Sequence, residues 1–416
     1  MSVFVPFKAY RPTKDAVEQV SSRPYDVLNT EEARAESAGN PNSYYRVIKP
    51  EIDFPEGQDP YDPAVYARGK ENLQRLINQG LMQQDDVESF YVYRLKMGDH
   101  VQTGLVGCCS IDDYFNNVIK KHELTKPRVE DDRKQHVVIS EFNYEPVFFS
   151  YHGVDEIDTI VEQATQHEPL YDFVSGDGVH HMLWAIDDPD TTSMITRIFE
   201  QHVDAIYIAD GHHRTAAGSL GGRDLRDAAG ANGTGEHRYG YLMSVLFPER
   251  EVRIMDYNRV VRDLNGMSPD AFLAQLQRAF DVEAQAGPYR PESHQTIGMY
   301  LDGKWYRLVA RESTFDPEDP VDALGFTILS KQVLEPLLNI VDLRRDKRID
   351  FVGGIRGLAE LERRVDSGEM AVAFAMHPIS MEQLMHISDE GLILPPKVTW
   401  FEPKLRSGLF AHDLRR

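Results

Sequence analysis

Cysteine is nearly absent from this sequence of 416 residues, which contains only Cys108 and Cys109, side by side. Two adjacent cysteines cannot form the disulfide framework on which many small secreted domains depend. The N-terminus also lacks the basic segment and the long apolar segment of a signal peptide. We therefore expect a cytoplasmic protein whose two thiols are reduced and lie in a strand.

Long apolar runs and an excess of basic charge are also missing. No apolar run approaches the roughly 18 residues that a membrane-spanning helix requires, so no membrane partner is predicted. The 45 Lys and Arg residues are outnumbered by 67 Asp and Glu residues, which gives a net charge of −22. Nucleic acid is not expected as a partner, because proteins that grip many phosphates usually carry a basic surface. A small anionic ligand remains compatible, since local donors can overcome a negative overall field.

Several catalytic motifs are absent as well. The sequence has neither a Walker A lysine loop nor the glycine loop of protein kinases, so a phosphotransferase here would need another architecture. It also lacks the H-E-x-x-H motif, because no second histidine follows the pair His122-Glu123 at the required spacing. The function must therefore be argued from other patterns.

The stretch 205–217, AIYIADGHHRTAA, is the most informative part of the sequence. Residues 206–208 are apolar and favour a buried strand, while 215–220 have the small side chains of a helix start. The polar turn between them consists of Asp210, Gly211, His212, His213 and Arg214. Glycine lets a ligand approach the backbone, and a helix N-terminus favours a bound anion. We expect this turn to bind phosphate.

Phosphoryl transfer is the first chemistry that the turn could support. Arg214 and the two histidines could contact phosphate oxygens, and Asp210 could hold Mg²⁺ or orient the attacking hydroxyl. A second carboxylate is available in Glu123, which lies at the entrance of a predicted helix.

Two other functions stay open. A metal hydrolase could use the turn together with Asp177, His180 and His181, which have the ligand types of a zinc or manganese site. Neighbouring side chains on a strand point to opposite faces, however, so at most one of these two histidines can face a given pocket. Alternatively, the turn could bind a nucleotide without chemistry and switch a partner.

The rest of the chain predicts hairpins beside helices, which indicates an α+β fold. We expect two domains, 1–250 with the turn and 251–416 as a C-terminal α+β domain. Residues 44–48 favour a strand, and Thr125 is the expected N-cap of a helix that runs through Arg133. The glycine-rich stretch 218–235 is expected to be mobile and to act as a lid.

Six segments that span nearly the full length carry a resemblance to a known family: RPYDV (23–27), KKHELT (120–125), EDDR (130–133), YIADGHHR (207–214), RIDFVGGIRG (348–357) and PPKVTWFEPKLRSGL (395–409). They resemble a widespread prokaryotic family of unassigned function. The turn, with its strand and alanine-rich helix, is similar to the Asp-Gly-His-x-Arg turn of the free-serine kinases, which have the ParB/sulfiredoxin fold. The resemblance implies a ParB/sulfiredoxin-like nucleotide-binding core with a large additional α+β C-terminal region.

The same resemblance implies a kinase that transfers phosphate from ADP or ATP, with Mg²⁺, to a small hydroxyl substrate, with free L-serine as the expected acceptor. It assigns catalysis to Glu123 as base, to Asp210, which also holds the metal, and to His212. Cofactor binding is expected from Gly211, His213, Arg214 and Thr215, and acceptor binding from Asp26, His122 and Arg133.

The C-terminal region has no counterpart in the minimal kinase fold. It could close the site, form a homodimer or hold a different substrate. Two lysines of its tail, Lys397 and Lys404, are candidates to reach the turn.

Overall fold

The computed structural model describes residues 1–230 and 238–415. The chain divides into two compact units: a core unit, Met1–Val252 with Pro403–Arg416, and a second unit, Arg253–Glu402. The expected domain 251–416 therefore needs a correction at its C-terminal end. The last residues belong to the core unit because their strand, residues 411–413, pairs with strands of that unit.

The core unit contains the following elements before its C-terminal tail. Its strands are β1 (Phe4–Val5), β2 (Ala9–Pro12), β3 (Met82–Gln84), β4 (Phe90–Met97), β5 (His100–Ser110), β6 (Ile119–Lys120), β7 (Phe142–Asn143), β8 (Val147–Tyr151), β9 (Tyr171–Val174), β10 (His180–Ile186), β11 (Ile206–Asp210) and β12 (Tyr241–Pro248). Its helices are α1 (Val17–Val20), α2 (Thr30–Glu36), α3 (Tyr45–Ile48), α4 (Pro63–Asn78), α5 (Ile111–Phe115), α6 (Pro127–Ser140), α7 (Asp155–Ala164), α8 (Pro189–His202) and α9 (His212–Ala228).

The second unit has its own elements. Its strands are β13 (Ile254–Met255), β14 (Tyr257–Val261), β15 (Phe280–Gln285), β16 (Thr296–Leu301), β17 (Lys304–Ala310), β18 (Ile349–Gly353), β19 (Val372–Ala375) and β20 (Trp400–Phe401). Its helices are α10 (Pro269–Leu276), α11 (Gly325–Leu329), α12 (Gly357–Asp366) and α13 (Met381–Asp389). Among the described residues, six strands form an antiparallel sheet in the order β15-β17-β16-β19-β14-β18.

A mixed sheet organises the core unit. Within the described part of the chain it has nine strands, in the order β6-β11-β8-β12-β5-β4-β10-β9, with β1 added beside β5. The pairs β6–β11 and β8–β12 are parallel, and the other pairs are antiparallel. Apolar side chains of this sheet and of α7 and α8 form one buried cluster, in which the ring centroids of Tyr151 and Phe199 are 5.1 Å apart. The predicted α+β class is confirmed.

A smaller antiparallel sheet ties the end of the chain to its beginning. The strand β21 (Ala411–Asp413) lies between β2 and β7, so that His412 is opposite both Ala9 and Asn143. Backbone hydrogen bonds of this kind fix the tail in the core unit.

Three local expectations differ from the structure. Residues 45–48 form the helix α3 instead of a strand, because a short apolar run favours burial without specifying its period. The helix α6 begins after Lys126, and the Thr125 hydroxyl bonds to Glu130. The stretch expected to be a mobile lid is helical as far as Ala228, and its residues 231–235 lie outside the described residues.

Local signals close two of the core elements. Asn29 caps α2 and forms a capping box with Glu32, and β4 and β5 form a hairpin through Gly98-Asp99. In residues 1–230 and 238–415, no helix has both the length and the apolar character to cross a bilayer.

Close packing of α9 against the core gives a test of the fold. Gly222→Ala would place a Cβ 2.3 Å from the backbone oxygen of Tyr239, which cannot move away without shifting the chain. We expect a loss of about 1–3 kcal/mol in the free energy of unfolding, measured by urea denaturation.

The neighbouring variant Gly221→Ala is the matched control. Its Cβ would lie 3.1 Å from the Val137 side chain, which can adjust, and alanine favours a helix over glycine by about 1 kcal/mol. A loss as large as that of Gly222→Ala would contradict the assignment of the clash to the backbone.

Candidate functional site

The polar turn joins β11 to α9 at one edge of the mixed sheet. Gly211 adopts a φ of 95°, in the left-handed region that favours glycine, and α9 begins at the next residue. No side chain of residues 1–230 or 238–415 caps the start of this helix. The first backbone N–H groups of α9 lie at the end of the helix that favours a bound anion.

Asp210, the last residue of β11, has two fixed contacts. Its Oδ1 accepts a hydrogen bond from the N–H of Gly211 at 3.0 Å, and its Oδ2 lies 3.0 Å from Nζ of Lys404. Although burial opposes ionisation, the positive charges of Lys404 and Arg214 lower the pKa of the Asp210 carboxyl below its usual range. The carboxylate is therefore ionised at neutral pH.

Arg214 is the most buried cation at the turn. Its Nη1 donates to the carbonyl of Pro146 at 2.8 Å, and its Nη2 lies 3.8 Å from both Asp26 and Asp210. The guanidinium also packs on Gly211, since a Cβ there would lie 3.1 Å from Nε. Glycine is thus required at this position for its conformation and for space.

Sheet pairing brings distant segments to this edge. Because β6 runs parallel to β11, the segment after β6, which contains His122 and Glu123, lies beside the turn. Because β8 runs antiparallel to β11, the residues before β8, which include Glu145, lie there too. The structure thus gathers groups that are far apart in sequence.

The two buried histidines His122 and His212 are in direct contact. Their ring centroids are 4.3 Å apart in an edge-to-face arrangement. Burial lowers the pKa of His122 to about 4, and burial together with the neighbouring His122 lowers the pKa of His212 well below its usual value. Both imidazoles are therefore neutral near pH 7 and do not repel a bound cation.

The remaining turn residues hold the turn in place. Nε2 of His213 accepts a hydrogen bond from the Lys126 N–H at 2.9 Å, which fixes the segment that carries Glu123. The Thr215 hydroxyl donates to the carbonyl of Gly211 at 3.0 Å and is fully buried. The Thr215 side chain therefore holds the turn in place, and the expected cofactor contact of this residue stays a prediction.

The C-terminal tail crosses the same region. Besides Lys404, which contacts Asp210, it brings Arg406 to Asp177 at 2.5 Å and the Ser407 hydroxyl to Glu145 at 2.6 Å. Of the two tail lysines considered from the sequence, Lys404 is at the turn. Lys397 belongs to the second unit, where its Nζ lies over the ring of Tyr257 at 5.8 Å.

Sequence reasoning missed Glu145 and Arg406. Glu145 is buried, and burial raises the pKa of its carboxyl. Its position directly before a proline and a buried strand was the available signal, but only the pairing of β8 with β11 shows that it meets the turn.

Arg133, expected to bind the acceptor, is held by three neighbours. It pairs with Asp132 at 2.7 Å, donates to the Ile48 carbonyl at 3.0 Å, and its guanidinium lies 4.4 Å from the ring centre of Tyr25. Asp26 follows Tyr25 and approaches Arg214, so that both expected residues lie near the turn.

The residues of the alternative metal site are engaged elsewhere. His181 contacts the Tyr93 hydroxyl at 2.8 Å and the Ser175 hydroxyl at 3.0 Å, while His180 pairs with Asp172 on the other face of the sheet. In the part of the chain that the structure describes, no group of three or more His, Cys, Asp or Glu side chains is arranged to hold a metal.

A single carboxylate can still be one ligand of a metal ion that is otherwise coordinated by nucleotide phosphates and water. Mg²⁺ is commonly held by one or two carboxylates, phosphate oxygens and water. Asp210, ionised and next to an uncapped helix start, fits that requirement.

Comparison with known families assigns the chain. The model of the family DUF1015, described as a protein of unknown function, matches residues 4–327. The chain belongs to the DUF1015 family. The expected membership of a family of unassigned function is therefore confirmed. No curated protein matches the sequence.

Solved structures similar to this DUF1015 chain have low sequence identity. A free serine kinase in complex with AMP is 13% identical with a TM-score of 0.36, over 70% of this chain and 85% of that one. SbnI with a C-terminal truncation, from Staphylococcus aureus, is 12% identical with a TM-score of 0.39, over 74% and 87%. A conserved hypothetical protein from Pyrococcus furiosus is 14% identical with a TM-score of 0.34, over 70% and 88%.

The ion pair at the turn can be tested by a double-mutant cycle on Lys404→Met and Asp210→Asn. We expect a coupling energy of about 1 kcal/mol in the free energy of unfolding, because both side chains are partly shielded from water. Lys14→Met is the control within the core unit of this DUF1015 protein, because the exposed Lys14 pairs with Glu168 at 3.5 Å, and it should show no coupling with Asp210. Additive effects of Lys404→Met and Asp210→Asn would contradict the ion pair.

The neutral state of His122 predicts a pH dependence of stability. Its pKa is about 4 in the folded chain against 6.5 for the ordinary group, so the unfolded chain binds more protons between these values. The contribution of His122 to the free energy of unfolding is complete above pH 6.5 and is lost as the pH falls from 6.5 through 4. The slope of this loss is at most about 1.4 kcal/mol per pH unit.

Urea unfolding at several pH values measures this effect. His122→Phe should flatten the decline of stability between pH 6.5 and 4, whereas His202→Gln, at an exposed position of α8, should leave it unchanged. An unchanged decline in His122→Phe would refute the neutral, buried state of this ring.

Proposed function

We propose that the protein is a small-molecule kinase that transfers a phosphoryl group from ADP or ATP to a free hydroxyl, with L-serine as acceptor. The observation that carries the proposal is the start of α9, which places the first backbone N–H groups of a helix directly after an ionised aspartate. This combination is what phosphoryl transfer requires, since phosphates need donors and their metal needs a carboxylate.

The phosphates would lie at the start of α9. The N–H groups of His212 and His213 and the positive end of the helix dipole favour a bound anion there. Lys404 adds a cation that could move from Asp210 to a phosphate oxygen when the carboxylate engages a metal. Arg214 adds a second positive charge, which opposes the charge that develops on the transferred group.

Asp210 would hold Mg²⁺, and the bound ion would neutralise part of the charge of the phosphates. The two neutral histidines beside Asp210 add no competing positive charge. The carboxylate is therefore free of a charged imidazole partner.

Glu123 is the proposed base. Its carboxylate would take the proton of the acceptor hydroxyl as the oxygen forms its bond to phosphorus, and the bond to the nucleotide oxygen breaks. A base positioned in this way contributes about 10²–10⁴-fold to the rate. The hydrogen bond from Lys126 to His213 supports this role, because it holds the segment of Glu123 against the turn.

The proposal is tested by incubating the protein with Mg²⁺, ADP or ATP, and a panel of free amino acids and small alcohols, followed by mass spectrometry. We expect O-phosphoserine with at least one nucleotide. Bound nucleotide without any phosphorylated product would favour a regulatory nucleotide-binding protein. Absence of nucleotide binding would reject the use of the turn.

Two variants assign the roles. Asp210→Asn should abolish turnover with the fold intact by circular dichroism, and Glu123→Gln should lower the rate by about 10²–10⁴-fold. Glu31→Gln, at an exposed position of α2, is the matched control and should retain the rate. Full activity in Asp210→Asn would exclude its role.

A further inference from the structure

A cavity lies beside the turn within the core unit. Its space of about 420 Å³, which includes open solvent, is lined by the second half of α6, by β7 and the segment before β8, and by the first turns of α9. Arg214 belongs both to the turn and to the lining of this cavity. The cavity therefore adjoins the proposed site of phosphoryl transfer.

The charges that line the cavity are of both signs. Two guanidinium groups, Arg133 and Arg214, and the carboxyl of Glu145 face it. The two hydrogen bonds to Glu145, from the Ser407 hydroxyl and the Tyr25 N–H, both go to Oε1. Within residues 1–230 and 238–415, these bonds leave its Oε2 to receive a donor that enters the cavity.

His136 supplies polar atoms that the protein does not satisfy. Its side chain lines the cavity and is 5% exposed, and neither ring nitrogen has a hydrogen-bond partner among residues 1–230 and 238–415. Burial lowers the pKa of His136 well below its usual value, so the ring is neutral and offers one donor and one acceptor. A buried polar atom without a partner costs about 1–3 kcal/mol, which a ligand would recover.

We propose that this cavity binds the head group of a small α-amino acid, with its ammonium at Glu145 and its carboxylate between Arg133 and His136. The identity of the ligand as phosphoryl acceptor rests on the proposed function, whereas its binding does not. A cavity lined only by cations would suit a phosphate. In this cavity, a phosphate would lie beside the Glu145 carboxylate and be repelled by its like charge. A zwitterion matches both signs of the lining.

Arg214 connects the cavity to the turn. Its Nη2 lies 3.8 Å from the Asp210 carboxylate, and its side chain also lines the cavity. An amino acid whose head group is held in the cavity would therefore lie beside the turn.

The proposal is tested on the full chain by isothermal titration calorimetry with L-serine and two analogues. Ethanolamine lacks the carboxylate and 3-hydroxypropionate lacks the ammonium. We expect both analogues to bind at least about tenfold more weakly than L-serine, because ethanolamine leaves the buried His136 ring without an acceptor and 3-hydroxypropionate brings no ammonium to Glu145. Equal binding of either analogue, or absence of L-serine binding, would overturn the proposal.

A pair of glutamate variants locates the site. Glu145→Gln should weaken L-serine binding by at least about tenfold and leave nucleotide affinity unchanged. Glu251→Gln is the matched control, since Glu251 also lies in the core unit and accepts a backbone hydrogen bond, from the Thr103 N–H, but is not among the residues that line the cavity. Unchanged L-serine affinity in Glu145→Gln would refute the assignment.

Two further readouts keep the test decisive. If Glu145→Gln fails to fold, His136→Phe removes the unsatisfied ring nitrogens and should weaken L-serine binding in the same way. Nucleotide affinity is measured separately on every variant. If the protein binds L-serine but no nucleotide, the proposed kinase is rejected and this site is retained. If both variants phosphorylate serine with an unaltered KM, the kinase is retained and this site is rejected.

Discussion

The charge of Arg214 must be compensated inside the protein, and the arrangement of the site follows from that constraint. An unpaired buried guanidinium costs several kcal/mol, so the segments that supply its partners have to be in place. The partners are the carbonyl of Pro146 and the carboxylates of Asp26 and Asp210. They come from three different parts of the chain. The fold of the core unit and the geometry of the turn are therefore coupled through one side chain.

The C-terminal tail extends this coupling. Lys404, Arg406 and Ser407 each meet an acidic side chain of the core unit, and β21 is built into its smaller sheet. Contacts at both ends of the tail hold it across the edge of the mixed sheet. The last residues of the chain are thus part of the site, although the second unit separates them from the turn in sequence.

Burial divides the titratable groups near the turn into two kinds. Asp210 stays ionised because Lys404 and Arg214 outweigh its loss of solvation, while His122 and His212 lose their charge because no carboxylate compensates them fully. The result is a charged carboxylate beside neutral rings. Such a separation of protonation states by environment keeps a carboxylate ionised at neutral pH without a charged imidazole beside it.

The sequence by itself determined the local construction of the site. An apolar strand, a glycine and a helix start could be recognised at 206–220, because strand preference, positive φ and helix initiation are properties of neighbouring residues. Only the tertiary structure decided that Glu145, Lys404 and Arg406 join that turn, and that 45–48 is helical. Strand order, register and the compensation of buried charge depend on contacts between residues far apart in the chain, which no local pattern encodes.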